Sequence, residues 1–512
     1  MSCSGGYSLP YTTKSICPEC LKVIDAEIKE EDGKVIIEKT CKKHGTFTDT
    51  YWGDADYFRR ATCDDYVGAG VKNPRTKEKL GCPYDCGLCP NHKSHTALAL
   101  IDVTNRCNLR CPICFANAAT SGYVYEPTIE EIRGILVNFK SNMPVPAPAV
   151  QFAGGEPTIR KDFPDIVRTA REVGFTHVEA ATNGLRIAQD LEFAKAIKDA
   201  GMSTLYLQFD GVTPEPYIAA RGRNLLPQKM KTLENCRKAG LHSIVLVPTV
   251  VRGVNDNQIG DIIRFAIKNK DIVRGINFQP VSITGRIDKD ERGKMRITIP
   301  DVVKLMEKQT NGMIKEGDFY ACCSTVPLSR VLGPLTGKPG VEFSCHPACG
   351  VATYLFIEED GTVNPITHYV DYQGLIRELG ERQKAGTLEG QLLDVVEKYV
   401  KDESIVDMLQ TLFTEPSYEA LGKYSRSSIL VGSMHFQDPY NFDLARVSRC
   451  CIHYGVPAKK GVPGPIIPFC SYNSIHRPVV EKALGIPLDK WAKGHQGVTI
   501  GPKEVGGIVE KA

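Results

Sequence analysis

The sequence predicts an α/β protein. Its core is a partial (β/α)6 barrel, with a small cysteine-bearing module before it and an irregular, cysteine-rich region after it. Three observations support this prediction: six short apolar runs between residues 97 and 285, amphipathic stretches between them, and cysteines clustered before, within and after that region. Strand–helix alternation is typical of parallel sheets. Six units are too few to close an eight-stranded barrel.

Each predicted strand is a short apolar run, and the stretches that separate the strands have helical periodicity. The first helix begins at Thr128, where Thr-Ile-Glu-Glu resembles a capping box. The strands are 97–103, 150–152, 177–181, 204–209, 243–250 and 275–278, and the later helices lie near 162–173, 191–200, 230–239 and 257–268. Chemistry in such barrels lies at the C-terminal ends of the strands.

Composition and charge exclude several classes of protein. The net charge of +3 on 512 residues is too small for charge-led nucleic-acid binding. No apolar run approaches the roughly 20 residues that span a bilayer, and the N-terminus lacks the pattern of a secretory signal. We therefore expect a cytoplasmic monomer with no nucleic-acid partner.

Cysteine is the outlier in the composition, with 19 residues in clusters. Disulfide-dense chains are usually small and secreted, whereas Cys-x-x-Cys spacing in a large chain without a signal favours metal binding. Metal is therefore the preferred interpretation, in a reducing cytosol.

Two cysteine segments share one spacing. Three thiolates can hold three irons of a [4Fe–4S] cube and leave a fourth iron open. The segments are Cys82-x₃-Cys86-x₂-Cys89 and Cys107-x₃-Cys111-x₂-Cys114. The second directly follows the first predicted strand, where a barrel places its active site, so we assign it the catalytic cluster. The first, in segment 66–96, suits an auxiliary cluster closed by a remote cysteine. A zinc knuckle is the alternative for either segment.

A Gly-Gly-Glu-Pro sequence follows the second predicted strand. Gly154 and Gly155 let the backbone approach a ligand closely, and strand-end amides and carbonyls could then hold an amino-acid head group. Alone, this sequence would be an ordinary turn. Its position some 40 residues after Cys114, at the end of the second strand, indicates a ligand-binding site.

These motifs together resemble the radical SAM (S-adenosylmethionine) superfamily, and the whole chain resembles its archaeal tetraether lipid synthases. The resembling features run nearly end to end: Cys17-x₂-Cys20, Cys41-x₂-His44, the Cys82 cluster, Cys345-x₃-Cys349, Cys450-Cys451 and Cys470. One departure is Ile113, where the superfamily often has an aromatic residue.

The resemblance implies roles at matching positions. Cys107, Cys111 and Cys114 would hold the catalytic cluster, whose open iron chelates SAM. Further SAM contacts are expected from residues that follow the second to fifth strands: Gly154, Gly155, Glu156, Thr182, Asn183, Gln208, Asp210, Arg252 and Asn255. For the polar residues after strands three to five, ordinary turn formation is the competing interpretation.

The module at 1–65 carries a separate predicted metal centre. Cys17, Cys20, Cys41 and His44 form two knuckles that suit a closed tetrahedral site. Cys63 competes with His44 as the fourth ligand. An all-thiolate site would be rubredoxin-like iron, and a site with His44 reads equally as zinc.

The region 286–512 carries the remaining predicted cluster ligands. Of its seven cysteines, we expect Cys345, Cys349, Cys451 and Cys470 to hold a second auxiliary cluster, and Cys323 to close the Cys82 cluster. The expected cofactors are three [4Fe–4S] clusters, one mononuclear iron or zinc, and SAM.

The resemblance also implies an activity. A 5′-deoxyadenosyl radical would abstract hydrogen, and terminal carbons of isoprenoid chains in archaeal diether lipids would be joined by C–C bond formation. This predicts a C–C bond-forming synthase, a lipid partner, peripheral contact with the inner membrane face, and a low-potential electron donor such as ferredoxin or flavodoxin. One alternative is another auxiliary-cluster radical SAM enzyme that acts on a peptide or a cofactor precursor. A second is an iron–sulfur protein for electron transfer or redox sensing.

Overall fold

The computed structural model describes most of the chain, from residue 6 to residue 510 with gaps. The described residues are 6–118, 120–285, 287–337, 340–386, 392–402, 406, 428–459, 462–495, 503–505 and 508–510.

The N-terminal module is a four-stranded antiparallel sheet followed by a helix. Its strands are β1 (Tyr11–Ile16), β2 (Val23–Glu31), β3 (Lys34–Cys41) and β4 (Gly45–Trp52), paired in that order. Burial alternates along β3, as expected for a strand with one face on a core. Helix Ala55–Cys63 begins at Asp54, whose side chain accepts a hydrogen bond from the Tyr57 N–H.

The next part of the chain forms the predicted parallel sheet. This part of the chain contains β5 (Leu98–Thr104), β6 (Tyr123–Val124), β7 (Ala149–Gly154), β8 (His177–Thr182), β9 (Thr204–Gln208), β10 (Ile244–Val247), β11 (Thr249–Val250) and β12 (Val273–Pro280), of which β6 lies outside the sheet. Strands β5, β7, β8, β9, β10 and β12 are neighbours in that order and all parallel. The α/β fold with a parallel core sheet is confirmed.

Helices separate these strands at the five places that the periodicity predicts and at two others, Leu185–Gln189 and Pro214–Arg221. Thr128 and Glu131 form the capping box: the Glu131 N–H donates to Thr128 Oγ1 at 3.2 Å, and the Thr128 N–H donates to Glu131 Oε2 at 2.8 Å. The helices are Ile129–Lys140, Phe163–Glu172, Leu185–Gln189, Leu191–Asp199, Pro214–Arg221, Leu226–Ala239 and Ile259–Lys268. Their apolar sides and the strands form one large core.

The region after residue 285 adds strands to both sides of the core sheet. It contains β13 (Tyr320–Ala321), β14 (Gly350–Ile357), β15 (Val363–Pro365), β16 (Ser428–Met434), β17 (Ile452–Gly455), β18 (Ile466–Pro468), β19 (Ile486–Pro487), β20 (Lys503–Val505) and β21 (Ile508–Glu510). β16 runs parallel to β12 and β17 runs parallel to β5, so eight parallel strands lie side by side. The sequence predicted only six of them.

Helices of this region lie between and after those strands. They are Arg292–Met295, Ile299–Gln309, Val326–Thr336, Ile366–Tyr369, Tyr372–Ala385, Leu392–Tyr399, Leu444–Val447, Phe469–Ser471, Arg477–Leu484 and Leu488–Gly494, with a π-helix at Tyr472–His476. Short 3₁₀ turns occupy Pro157–Ile159, Glu316–Asp318, Cys322–Thr325 and Pro347–Cys349. Among the described helices, none combines the length and the apolar character needed to cross a membrane.

Candidate functional site

A cavity of about 350 Å³ lies at the C-terminal ends of the parallel strands. Its lining combines cysteines from the loop after β5 with polar residues from the loops after β7, β8 and β9. The predicted site residues that line it are Cys107, Cys111, Cys114, Gly154, Gly155, Glu156, Thr182, Asn183 and Gln208. The strand-end position expected for the chemistry therefore coincides with a real cavity.

The three cysteines of the loop after β5 face this cavity together. Burial raises the pKa of the Cys107 thiol, and negative charge on Cys111, Glu156 and Cys114 raises it further. Burial also raises the pKa of Cys111. Three cysteine thiolates that face one cavity need cations to stabilise them, which is what the irons of a cluster provide. The donor set therefore fits an iron–sulfur cluster.

Gly154 and Gly155 let the loop after β7 lie directly on the cysteine loop. Gly154 has φ +129°, and a Cβ there would lie 2.0 Å from the Thr104 carbonyl oxygen. A Cβ on Gly155 would lie 2.2 Å from the Arg106 carbonyl oxygen. The Gly155 N–H instead donates to Thr104 O at 2.8 Å. Only glycine allows this contact between the two loops.

Glu156 joins the loops after β7 and β8. Its Oε1 accepts hydrogen bonds from the Thr182 hydroxyl at 2.7 Å and the Thr158 N–H at 3.1 Å, and its Oε2 accepts from the Asn183 N–H at 2.7 Å. Burial raises the pKa of this carboxyl group, and these donors oppose the shift. Glu156 therefore positions Thr182 and Asn183 at the cavity edge.

Arg221, which the sequence analysis missed, holds the cysteine loop from the other side. Its Nε and Nη2 donate to the two oxygens of Asp210 at 2.7 Å each, and its Nη1 donates to the Ile113 carbonyl at 2.8 Å. Asp210 has no exposed surface, and it does not line the cavity. Its role is to anchor Arg221.

Lys229 is a second buried cation that the sequence analysis did not identify. Its Nζ donates to the Asn183 carbonyl at 2.6 Å and to Gln208 Oε1 at 2.7 Å. Burial lowers the pKa of Lys229 to about 7. Its helix follows β9 in sequence, but nothing in the sequence separates this lysine from those on exposed helix faces.

Arg252 and Asn255, expected to contact the ribose or adenine of SAM, lie outside the cavity lining. Asn255 Nδ2 donates to the carbonyls of Asp210 and Thr249, each at 2.9 Å, so its amide fixes the local turn. Arg252 is exposed, with Nε donating to the Arg296 carbonyl at 2.8 Å. The contacts of both residues match ordinary turn formation, the alternative to SAM binding.

The N-terminal module brings four potential metal ligands together. The ligand atoms of Cys17, Cys20, Cys41 and His44 all lie within 4.8 Å of one another. Backbone N–H donors lower the pKa of Cys41 to about 6, which favours the thiolate that binds metal. Cys63 is not in this group: it is disulfide-bonded at the end of the following helix, with its sulfur 3.1 Å from the Arg59 carbonyl oxygen. His44, and not Cys63, therefore lies beside the other three potential ligands.

The cysteines of segment 66–96 line a separate small cleft. Cys82, Cys86 and Cys89 share it, and Cys470 packs in the same apolar cluster as Cys86. The hydroxyl of the residue after Cys470 donates to Cys86 Sγ at 3.2 Å. Cys323, the residue expected here, is buried elsewhere, with its sulfur 3.8 Å from the Asp64 carbonyl.

Four cysteines of the region after residue 285 form another group. The Cys345 sulfur lies within hydrogen-bonding reach of Cys322 and Cys451, and Cys349 lies in the same cluster. Cys322 lies in this group, whereas Cys470, which we expected here, packs with Cys86. The difference arises because Cys322–Thr325 is a 3₁₀ turn, which points neighbouring cysteines in different directions.

Two protein families match different parts of the chain, and one relative matches nearly all of it. Residues 101–266 match the radical SAM superfamily, and residues 9–53 match the HMPTM N-terminal zinc ribbon domain. The chain is 49% identical over 501 residues to the 7,8-dihydro-6-hydroxymethylpterin dimethyltransferase of Methanocaldococcus jannaschii, covering 94% of this chain and 97% of the relative.

More distant similarities cover about half of the chain. The GTP 3′,8-cyclase of Corynebacterium glutamicum is 26% identical over 270 residues, covering 51% of this chain and 70% of the relative. The crystal structure of Streptococcus suis SuiB aligns with a TM-score of 0.36 and 20% identity, over 43% of this chain and 47% of that chain.

These findings correct the expected substrate. The Methanocaldococcus relative is named for a pterin and for methyl transfer, which contradicts the expected isoprenoid diether lipid partner. The expectations of a C–C bond-forming lipid synthase and of contact with a membrane surface lose their support with it. Radical SAM chemistry, with SAM and a [4Fe–4S] cluster, is retained. The chain is a radical SAM enzyme, and it belongs to the family of the M. jannaschii 7,8-dihydro-6-hydroxymethylpterin dimethyltransferase.

Proposed function

We propose that this enzyme transfers methyl groups to a reduced pterin. SAM cleaved at the cluster would keep its methyl group on methionine, so a separate SAM molecule would donate each methyl group and leave as S-adenosylhomocysteine. A reduced pterin falls within the cofactor-precursor substrates that the sequence analysis gave as an alternative, and it replaces the isoprenoid lipid as the proposed substrate. Its main support is the 49% identity to a relative named as a pterin dimethyltransferase, across nearly the whole of both chains.

The lining of the cavity supports a flat heteroaromatic substrate. One wall is aromatic: the rings of Phe436 and Phe469 stack with centroids 3.9 Å apart, and Tyr454 and Phe115 lie beside Phe469. Aromatic side chains bind planar rings by offset stacking. This wall is built largely from the region after residue 285, which gives that region a role in substrate binding.

Amide side chains line the cavity on another side. Gln151, Asn277 and Gln279 all line it, and both Asn277 and Gln279 donate to the Tyr206 hydroxyl. Primary amides offer hydrogen-bond donors and acceptors together. The edge of a 2-amino-4-oxopyrimidine ring offers the same mixture, so these residues are the proposed partners of the pterin edge.

The SAM side of the cavity lies at the loops after β5, β7 and β8. Cys107, Cys111 and Cys114 would hold the cluster, which with SAM supplies one-electron radical chemistry when bound. The backbone at Gly154 and Gly155 would receive the methionine head group, and Asn183 would approach the same ligand from the next strand end. The chain's own contribution is to orient SAM against the pterin and to exclude water.

We also propose the ligand sets of the other metal centres. Cys17, Cys20, Cys41 and His44 would hold one structural ion, for which the zinc ribbon similarity favours zinc over iron. Two auxiliary [4Fe–4S] clusters would take eight of the other cysteines, and a low-potential donor such as ferredoxin or flavodoxin would supply electrons. The sets are Cys82, Cys86, Cys89 and Cys470 for one, and Cys322, Cys345, Cys349 and Cys451 for the other.

The test is an anaerobic assay with reconstituted protein, dithionite, ¹³C-methyl SAM and 6-hydroxymethyl-7,8-dihydropterin, followed by mass spectrometry. We expect labelled, methylated pterin from the wild type and none from Cys114→Ala. Cys236→Ala is the matched control, because Cys236 is a buried helix thiol outside every proposed ligand set. SAM cleavage with an unchanged pterin would reject the substrate class. No SAM cleavage at all would reject the assigned site.

A further inference from the structure

Arg446 is a buried guanidinium with two unused donors. It is 1% exposed, in helix Leu444–Val447. Its Nη2 donates to the His435 carbonyl at 2.7 Å, and its guanidinium carbon lies 5.6 Å from the centre of the Tyr51 ring. Within the described residues, Nε and Nη1 have no hydrogen-bond partner. A buried charge in this condition is costly unless an anion compensates it.

Other buried arginines of this protein have carboxylate partners. Arg221 pairs with Asp210, Arg296 with Asp438, Arg449 with Asp65, and Arg477 with Asp102. In the part of the chain that the structure describes, no such ion pair is found for Arg446. The contrast indicates that its partner is an anion of another kind.

The carboxylate next to this helix is already engaged. Asp443 accepts hydrogen bonds from the Thr13 hydroxyl at 2.7 Å, the Tyr51 hydroxyl at 2.8 Å and the Ala445 N–H at 2.9 Å. Burial raises the pKa of Tyr51 well above its usual value, so its ring is neutral. Both Asp443 oxygens are therefore engaged by other donors, and no ion pair between Asp443 and Arg446 is found in the described part of the chain.

Two of the proposed cluster ligands lie beside the guanidinium instead. His435, whose carbonyl accepts from Arg446, donates its N–H to the Cys349 carbonyl at 3.0 Å. Cys470 packs in one apolar cluster with Leu444 and Val447 of the helix that carries Arg446. Cys349 and Cys470 belong to the two proposed auxiliary ligand sets, so the guanidinium faces both sets from one position.

We propose that Arg446 is the positioning residue that sets the reduction potential of the auxiliary iron–sulfur centres, by charge and by N–H donation to sulfur. The proposal rests on the proposed function, because it requires clusters at those cysteines. Reduction adds one negative charge to a centre, and a nearby cation stabilises that state more than the oxidised one. Hydrogen bonds to cluster sulfur act in the same direction.

The test is an anaerobic redox titration, followed by EPR, of wild-type holoenzyme, Arg446→Gln and Arg446→Lys. Signals that change on addition of SAM belong to the catalytic cluster and are set aside. We expect Arg446→Gln to lower the reduction equilibrium constant of an auxiliary centre about tenfold, which is about 59 mV for one electron. Lysine should retain most of the wild-type potential. The exposed-face variant Arg237→Gln should change nothing.

Each outcome has a separate meaning. Wild-type potentials in Arg446→Gln, at full iron and sulfide content, would overturn the proposal for Arg446. A wild type without iron and sulfide for auxiliary centres would overturn the proposed ligand sets instead.

If Arg446→Gln fails to load its clusters, thermal unfolding of the metal-free protein tests whether the clusters are the counter-charge of Arg446. In metal-free protein the guanidinium has lost its counter-charge, so Arg446→Gln should raise the melting temperature relative to metal-free wild type. A lower melting temperature would show that Arg446 is structural and would overturn the proposal.

Discussion

Replacing Arg221 with methionine tests how the cysteine loop is held at the strand ends. The change removes two 2.7 Å contacts to Asp210 and one 2.8 Å contact to the Ile113 carbonyl. The side chains of Arg221 and Asp210 are 9% and 0% exposed, so the carboxylate is left buried without its partner. Breaking a buried pair in this way costs about 3–5 kcal/mol.

A surface pair gives the matched control. Arg237 contacts Asp271 at 2.6 Å with side chains 37% and 56% exposed, and its loss in Arg237→Met should cost less than about 1 kcal/mol. The assay is urea unfolding of anaerobic protein followed by circular dichroism. Asp210→Asn combined with Arg221→Met should recover part of the loss, because the buried charge is gone. The argument fails if Arg221→Met costs no more than the surface control.

Three further changes test other parts of the site. Gly154→Ala should abolish SAM cleavage, because its Cβ meets a backbone carbonyl at 2.0 Å. Gly174→Ala should retain activity, since it shares the positive φ but has open space, and equal effects would contradict the steric reasoning. His44→Ala should release the structural metal and Cys63→Ser should keep it, measured by elemental analysis. Metal loss from the cysteine variant alone would favour the all-thiolate site. Lys229 has its pKa lowered to about 7. The folded protein therefore sheds a proton that the unfolded chain keeps, so the stability of wild type relative to Lys229→Met should rise between about pH 7 and 10. A flat or falling difference would contradict this.

The core strands could be predicted because a parallel sheet covered on both faces produces continuous apolar runs. Strands β16 and β17 escaped prediction for a physical reason. β17 has four residues and pairs with β5 more than 350 positions earlier, at Ile452 opposite Leu98. Sequence periodicity reports local burial, and it carries no information about which distant segment completes a sheet.

The residues of the candidate site also fall into those that the sequence could predict and those that it could not. Cysteine spacing and strand context located Cys107, Cys111 and Cys114, because both are local properties. Arg221 and Lys229 were missed since their role depends on burial and on partners from other strand ends. The lipid substrate came from resemblance alone, and a near full-length relative named for a pterin contradicted it.

The addition of β16 and β17 to the two sides of the core has a consequence for biosynthesis. A ribosome that has made residues up to 427 has produced the catalytic cysteines but neither flanking strand. Both edges of the six-stranded sheet are then unpaired, a condition that favours aggregation. Cys451 directly precedes β17 and packs with Cys345. Iron that links these two cysteines would also hold β17, the last-made of the eight parallel strands, in place, so cluster loading and completion of the parallel sheet would proceed as one event.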